Sequence, residues 1–249
     1  MKKEKVFSIR KLTLIGVLGA VSIVLGLTPL GFIPIGPTRA TIMHIPVIIG
    51  AIMEGPIVGA LVGLIFGFFS IFQNVTNPTP VSFVFINPLV SIIPRVLIGL
   101  TTYYSYSAIK AIGKKNLRRL IALVWIGIIV YLVRGIYGNI ANSQGWIVLM
   151  MNLILLILTL SFAYFGVAKV DNDSLDIIIP AIVGTLTNTI GVLFTIYVLY
   201  AEKFVAKLGL DVTNTKKVII GIGITNGIPE VILAIIIVVS VVGILRRNK

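Results

Sequence analysis

Seven polar or charged residues lie within otherwise apolar stretches of this chain. They are one histidine, three asparagines, two arginines and one glutamate: His44, Asn87, Asn188, Asn226, Arg95, Arg134 and Glu230. A charged side chain at the centre of a membrane costs at least about 2.5 kcal/mol on insertion scales, so Arg95 is expected to face either a partner or a polar cavity.

Two interpretations of these residues are open. Asn226 and Glu230 are four residues apart and share one helix face. In the first interpretation Arg95 and Glu230 form a structural ion pair, and the asparagines link helices. In the second, the same side chains line a polar pocket that the 28–39 segment covers. His44 fits either view, as a hydrogen-bonded structural residue or as part of the pocket.

The composition is that of an integral membrane protein. Hydrophobic residues make up 57% of the 249 residues and charged residues only 12%, about half the charged fraction of a soluble domain, which is about 25%. The apolar runs are much longer than the roughly 10-residue strands of a membrane barrel, so we predict an all-α, polytopic transmembrane bundle. The net charge of +13 is concentrated in short loops, which indicates membrane topology and no nucleic-acid partner.

Several kinds of chemistry are excluded or disfavoured. The chain has no cysteine and one histidine, which excludes disulfides and the usual zinc centres. No phosphate-binding loop of the G-x-x-x-x-G-K-[ST] type occurs, and acids suited to paired-carboxylate catalysis are missing from the spans. We therefore expect neither an enzyme nor a bound metal or cofactor.

Eight apolar segments are predicted to cross the membrane in one domain, 1–249. Their bounds are 12–27, 40–53, 56–72, 82–109, 120–140, 146–167, 177–200 and 218–245. Pro88 and Pro94 should kink or break the fourth segment. Gly59, Gly63 and Gly67 are spaced four residues apart, which favours close contact with another helix.

Gly16 and Ala20 form a second pair of small residues, on the first segment. Such a face allows another helix to approach closely. It could serve ordinary packing within the bundle or docking of a partner.

Several stretches of the sequence, taken together, resemble a known family. The stretches are G-P-T-R-A-T-I-M-H-I-P-V-I-I-G-A-I-M-E-G-P-I-V-G-A-L-V-G-L-I-F-G, N-P-T-P-V-S-F-V-F and I-P-R-V-L-I-G-L, continued by G-T-L-T-N-T-I and I-T-N-G-I-P-E. They resemble the substrate-binding S components of energy-coupling factor (ECF) transporters, most of all the pantothenate-type members. The resemblance covers 8–110 and 177–245.

The resemblance implies a vitamin importer of the prokaryotic cell membrane. In that family six helices bind one vitamin from outside. The S component then docks on a separate transmembrane coupling subunit that two ABC-type ATPases energise, so ATP is used by the partners only. The 28–39 loop corresponds to the family's lid, and Gly16 and Ala20 to its docking face.

Pantothenate carries a carboxylate, an amide and two hydroxyls, and the polar residues can be matched to these groups. Arg95 could hold the carboxylate as a two-pronged fork. Asn188 and Asn226 could bind the amide and hydroxyls, with Glu230, His44 and Asn87 as further candidates for substrate binding.

This chain departs from the family pattern in its number of spans. It has eight predicted spans where the family has six, and the pair at 117–168 resembles a helical hairpin inserted into the core. Arg134 lies in that hairpin and has no family counterpart. The ligand could therefore be another vitamin, such as folate or riboflavin. A stand-alone secondary carrier and a non-transport membrane scaffold are the remaining alternatives.

Positive charge predicts that both termini are cytoplasmic. In that orientation 14 Lys and Arg residues lie inside and 5 outside, and cytoplasmic loops carry such an excess. Cysteines introduced at Asn77 and Asn214 of this cysteine-free chain should therefore react with an impermeant thiol reagent added to intact cells. Labelling only after the cells are permeabilised would reverse the orientation.

Overall fold

The computed structural model describes residues 8–35, 38–113 and 172–247, with scattered positions between 116 and 160. The chain divides into two compact units, one formed by Met1–Ser107 with Ile177–Lys249 and the other by Ala108–Asp176. The predicted hairpin at 117–168, with its two spans, lies for the most part outside the described residues. The first unit contains the elements considered below.

The first unit is built almost entirely from helices. They are α1 (Ile9–Leu27), α2 (Ile45–Glu54), α3 (Pro56–Thr76), α4 (Ser82–Phe85), α5 (Pro88–Ser91), α6 (Ile93–Ile112), α7 (Asn172–Lys207) and α8 (Thr215–Arg247). Within the described residues four helices are long and apolar enough to cross a membrane, namely Ile9–Leu27, Pro56–Thr76, Asp176–Lys207 and Val212–Arg246. The prediction of an all-α transmembrane bundle is confirmed.

The segment predicted as a loop at 28–39 has regular structure instead. A short 3-10 turn, Pro29–Gly31, leads into strand β1 (Phe32–Ile35), which pairs antiparallel with β2 (Thr38–Thr41). The helix predicted at 40–53 consequently begins only at Ile45, and α2 has 10 residues. At 1.5 Å per residue it extends about 15 Å, half the thickness of the hydrocarbon layer.

Prolines divide the predicted 82–109 span, as expected. Pro88 begins α5, and α6 begins one residue before Pro94. Because proline lacks an amide N–H, Pro94 cannot donate to the carbonyl of Val90, four residues earlier. A free backbone carbonyl is thereby left next to the start of α6.

The glycine stripe of α3 packs against this interrupted region, which confirms the predicted close contact. A Cβ built on Gly63 would lie 2.2 Å from the Arg95 carbonyl oxygen, and one on Gly67 2.9 Å from the Ile92 Cα. The contact is mutual further along, since a Cβ on Gly99 would lie 2.3 Å from the Gly59 carbonyl carbon. Only glycines allow the two backbones to come this close.

Two buried apolar clusters hold the first unit together. One joins α2, α3 and α6 to the beginning of α7 and the second half of α8, with Val47, Ile48, Val62, Ile98 and Val238 among its members. The other joins α4 and α5 to the second half of α7 and the beginning of α8. In sequence, Arg95 lies between members of the two clusters, and so do the buried polar residues of α7 and α8.

Replacing Gly63 with alanine should destabilise the protein by about 1–3 kcal/mol, because the methyl group would collide with backbone that cannot rotate away. The matched control is Gly221→Ala in α8, where nothing lies within 4 Å of the added Cβ and alanine should be neutral or stabilising by up to about 1 kcal/mol. Thermal unfolding in detergent measures both. Equal melting temperatures for the two variants would contradict the packing argument.

Candidate functional site

Arg95 is buried in the first turn of α6, with 5% of its surface exposed. Its Nη1 donates a hydrogen bond of 2.5 Å to the carbonyl of Val90, the oxygen that Pro94 leaves without a helical partner. Its guanidinium carbon lies 5.3 Å from the centre of the Phe66 ring. The Nε atom is buried and has no hydrogen-bond partner, so the guanidinium retains donor capacity.

Glu230 is also buried, but both of its carboxylate oxygens are occupied. Oε1 accepts a 2.7 Å hydrogen bond from the backbone N–H of Thr41, at the end of β2. Oε2 accepts a 2.7 Å hydrogen bond from the hydroxyl of Thr189 on α7. A carboxylate on α8 thus links three segments that are far apart in the sequence.

The ion pair between Arg95 and Glu230, one of the two interpretations of the sequence, is wrong. Within the described residues no nitrogen of Arg95 lies within 4.0 Å of a carboxylate oxygen, and no Lys, Arg or His nitrogen lies that close to Glu230. Arg95 is near enough to both Glu230 and His44 for their charges to interact. The two side chains instead bond to different partners, Arg95 to the Val90 carbonyl and Glu230 to the Thr41 amide and the Thr189 hydroxyl.

His44 is fully buried and precedes α2, where the sequence had indicated a position within a helix. Its Nε2 lies 3.0 Å from the Thr185 hydroxyl oxygen. That hydroxyl donates its proton to the Ala181 carbonyl, so Nε2 is the donor to Thr185. This hydrogen bond attaches the beginning of α2 to α7.

Asn188 and Asn226 are both buried, on α7 and α8. The Oδ1 atom of Asn188 receives no hydrogen bond, which makes it an available acceptor. Asn226 and Glu230 are both buried, as their shared helix face predicted. Pro229, between them, cannot donate to the carbonyl of Thr225 and so weakens the helix beside both side chains.

Asn87 forms its hydrogen bonds within the α4–α5 segment and to α7. Its Oδ1 accepts from the N–H of Leu89 and caps α5, while its Nδ2 donates to the hydroxyl of Tyr200 over 2.8 Å. The ring of Tyr200 in turn packs edge-on against Phe83. These contacts attach the α4–α5 segment to the second half of α7.

Thr41, Thr185 and Thr189 were not among the candidate binding residues, yet each contacts one of them. Thr185 and Thr189 could have been recognised from the run G-T-L-T-N-T at 184–189. The threonines of this run contact different segments. Thr187, between the other two, instead meets Thr101 of α6 at 2.9 Å. No sequence signal identified the amide of Thr41, because every residue except proline carries one.

The first helix has two distinct small-residue faces. Gly19, Ser22 and Gly26 are buried, and a Cβ on Gly19 would lie 2.8 Å from Ile65 of α3. Gly16 and Ala20 are exposed, and nothing among the described residues lies within 4 Å of a Cβ built on Gly16. Packing within the described bundle therefore does not account for the Gly16 and Ala20 face.

Comparison with known proteins agrees with this architecture. The family model described as "ECF transporter, substrate-specific component" matches residues 10–242. The chain belongs to the family of S components of ECF transporters. The proteins of this family are transporter components and not enzymes, and no group of His, Cys, Asp and Glu suited to a metal ion occurs among the residues that the structure describes.

Two curated relatives resemble this S component over part of their length. It is 34% identical over 84 residues to the pantothenic acid transporter PanT of Lactococcus lactis subsp. cremoris, which covers 28% of this chain and 43% of the relative. It is 30% identical over 130 residues to the pantothenate transporter PanT of Leuconostoc mesenteroides subsp. mesenteroides, which covers 51% of this chain and 62% of the relative. The chain thus spans less than two thirds of either relative.

Proposed function

We propose that this S component binds pantothenate from the outer side of a prokaryotic cell membrane and delivers it through a separate ATP-driven module. The observation that carries the proposal is the buried guanidinium of Arg95, which has no carboxylate partner among the described residues. Both termini are cytoplasmic in this proposal, as the distribution of positive charge predicts.

A carboxylate ligand would resolve the electrostatic problem that Arg95 presents. Removing a guanidinium from water is costly unless a counter-charge and hydrogen-bond acceptors replace the lost hydration. Glu230 does not supply that partner at ion-pair distance, since its two oxygens instead accept from Thr41 and Thr189. A ligand carboxylate beside Arg95 would supply both the charge and acceptors for the remaining N–H groups.

The buried side-chain amides of α7 and α8 fit the remainder of the ligand chemically. Pantothenate has an amide N–H and two hydroxyls, all of which can donate a hydrogen bond. The vacant Oδ1 of Asn188 would accept one of them, and Asn226 would contact the same part of the ligand. The two relatives are both pantothenate transporters by name, which supports pantothenate over folate or riboflavin.

The transport partners in this proposal are a transmembrane coupling subunit and two ABC-type ATPases. The chain has no phosphate-binding loop of its own, so in this proposal ATP is hydrolysed by the partner subunits. The exposed Gly16 and Ala20 face of α1 would dock on the coupling subunit. Copurification with an ATPase pair would favour this proposal over a stand-alone carrier or a scaffold.

Titration of purified protein with pantothenate tests the ligand assignment. Arg95→Lys keeps the charge but loses the planar fork, and we expect roughly tenfold weaker binding. Arg95→Ala removes the charge-assisted hydrogen bonds, and we expect a loss of about a hundredfold. Arg10→Lys, at the beginning of α1 and paired with Glu54, is the control and should bind like wild type.

Thermal unfolding of the same variants separates binding from folding. Weak binding by Arg95→Ala together with a wild-type melting temperature would support ligand contact. Wild-type affinity in Arg95→Ala would exclude Arg95 as the anion anchor. If the wild-type protein does not bind pantothenate, mass spectrometry of the small molecule that copurifies with it would identify the ligand to test instead.

Docking by α1 predicts a separation of binding from uptake. Gly16→Leu or Ala20→Leu should abolish uptake in cells while pantothenate binding to the purified protein stays within about twofold, because a leucine would hold a partner helix at a distance. Val21→Leu, an exposed α1 position on a different face, is the matched control and should transport normally. Unchanged uptake in both test variants would exclude this face.

A further inference from the structure

Glu230 occupies an unusual position for a residue expected to bind substrate. Its side chain is 3% exposed, and its two oxygens each accept a hydrogen bond of 2.7 Å from a different part of the chain, one from β2 and one from α7. The donors are a backbone amide and a hydroxyl, so the arrangement is satisfied without a ligand.

We propose that Glu230 is a positioning residue that fixes the end of β2 against α7 and α8, and that it influences ligand binding through β2 without touching the ligand. The effect on ligand binding rests on the function proposed above. The role of Glu230 in fixing β2 rests on the hydrogen bonds among the three segments alone.

The hydrogen bond from Thr41 to Glu230 is one link between this part of the chain and the helices. The second link is close by, where His44 Nε2 contacts the Thr185 hydroxyl at 3.0 Å. Thr41 and His44 are three residues apart, and their partners on α8 and α7 are joined by the Thr189 to Glu230 hydrogen bond. The chain between β2 and α2 is therefore held at two points against the same pair of helices.

The carboxylate is well suited to this task. Hydrogen bonds to a charged acceptor contribute more than those between neutral groups. Pro229 precedes Glu230 and leaves the Thr225 carbonyl without its helical donor, so the backbone of α8 is less constrained here and the side chain can reach β2. Removing the carboxylate would leave the partly buried amide of Thr41 without this acceptor and the buried Thr189 hydroxyl with only its longer, 3.3 Å hydrogen bond to the Thr185 carbonyl.

The test is hydrogen exchange measured by mass spectrometry on the ligand-free protein in lipid nanodiscs. Glu230→Ala should raise the exchange rate of the amides in 38–44 by about tenfold or more. Thr189→Val, which removes one donor and keeps the shape of the side chain, should raise it by about threefold. Thr187→Val is the matched control on the same helix, since Thr187 contacts Thr101, and it should leave this region unchanged.

Glu230→Gln distinguishes a positioning role from a ligand contact that needs charge. A glutamine oxygen can still accept from Thr41, and its amide group can donate to the Thr189 oxygen. We therefore expect the amides of 38–44 in Glu230→Gln to exchange within about threefold of the wild-type rate. The affinity of this variant for pantothenate should be near that of wild type. Wild-type protection in 38–44 for Glu230→Ala, or lost affinity with intact protection in Glu230→Gln, would overturn the proposal.

The two proposals fail in different ways. Exchange of the ligand-free protein does not depend on which vitamin binds, so absence of pantothenate binding by wild type would refute the ligand and leave the exchange result decisive for Glu230. If Glu230→Ala does not fold, Thr189→Val and Glu230→Gln provide the same comparison.

Discussion

The position of Arg95 depends on how closely two backbones can approach. Gly59, Gly63 and Gly67 bring α3 into contact with the backbone of the 92–99 segment. Pro94 frees the carbonyl of Val90, and the guanidinium binds that oxygen. A membrane charge that would otherwise be prohibitive is thus partly satisfied by backbone, at a point where backbone is available because a proline interrupts the helix.

The separation of the two buried charges gives them different uses. Had Glu230 formed an ion pair with Arg95, the guanidinium N–H groups would have been occupied by it. Instead each Glu230 oxygen accepts a hydrogen bond from a neutral donor, and the buried Nε of Arg95 has no hydrogen-bond partner among the described residues. In the proposed function this leaves the guanidinium able to hold a ligand carboxylate, while the charge of Glu230 still acts on it from a distance.

The sequence predicted those features that depend on local chemistry. The helical bundle, the interruption at Pro88 and Pro94 and the close contact of the glycine stripe follow from hydropathy, from the missing proline N–H and from glycine spacing. The partner of Glu230 could not be predicted, because Thr41 is 189 residues away and contributes a backbone amide. The β1–β2 pair was missed because the prolines and glycines of the apolar 28–39 segment indicated an irregular loop.

The small residues of the first helix show why spacing alone could not distinguish packing within the bundle from docking of a partner. Small residues four apart favour close helix packing, whether the neighbour is part of the same chain or another. Here Gly19 and Gly26 face α3, where Cβ atoms would lie 2.8 Å from Ile65 and 2.4 Å from Phe69. Gly16 and Ala20 lie on a different side that the described bundle leaves exposed. Because the first set already provides the packing within the described bundle, the exposed second set is the face to which the proposed function assigns docking.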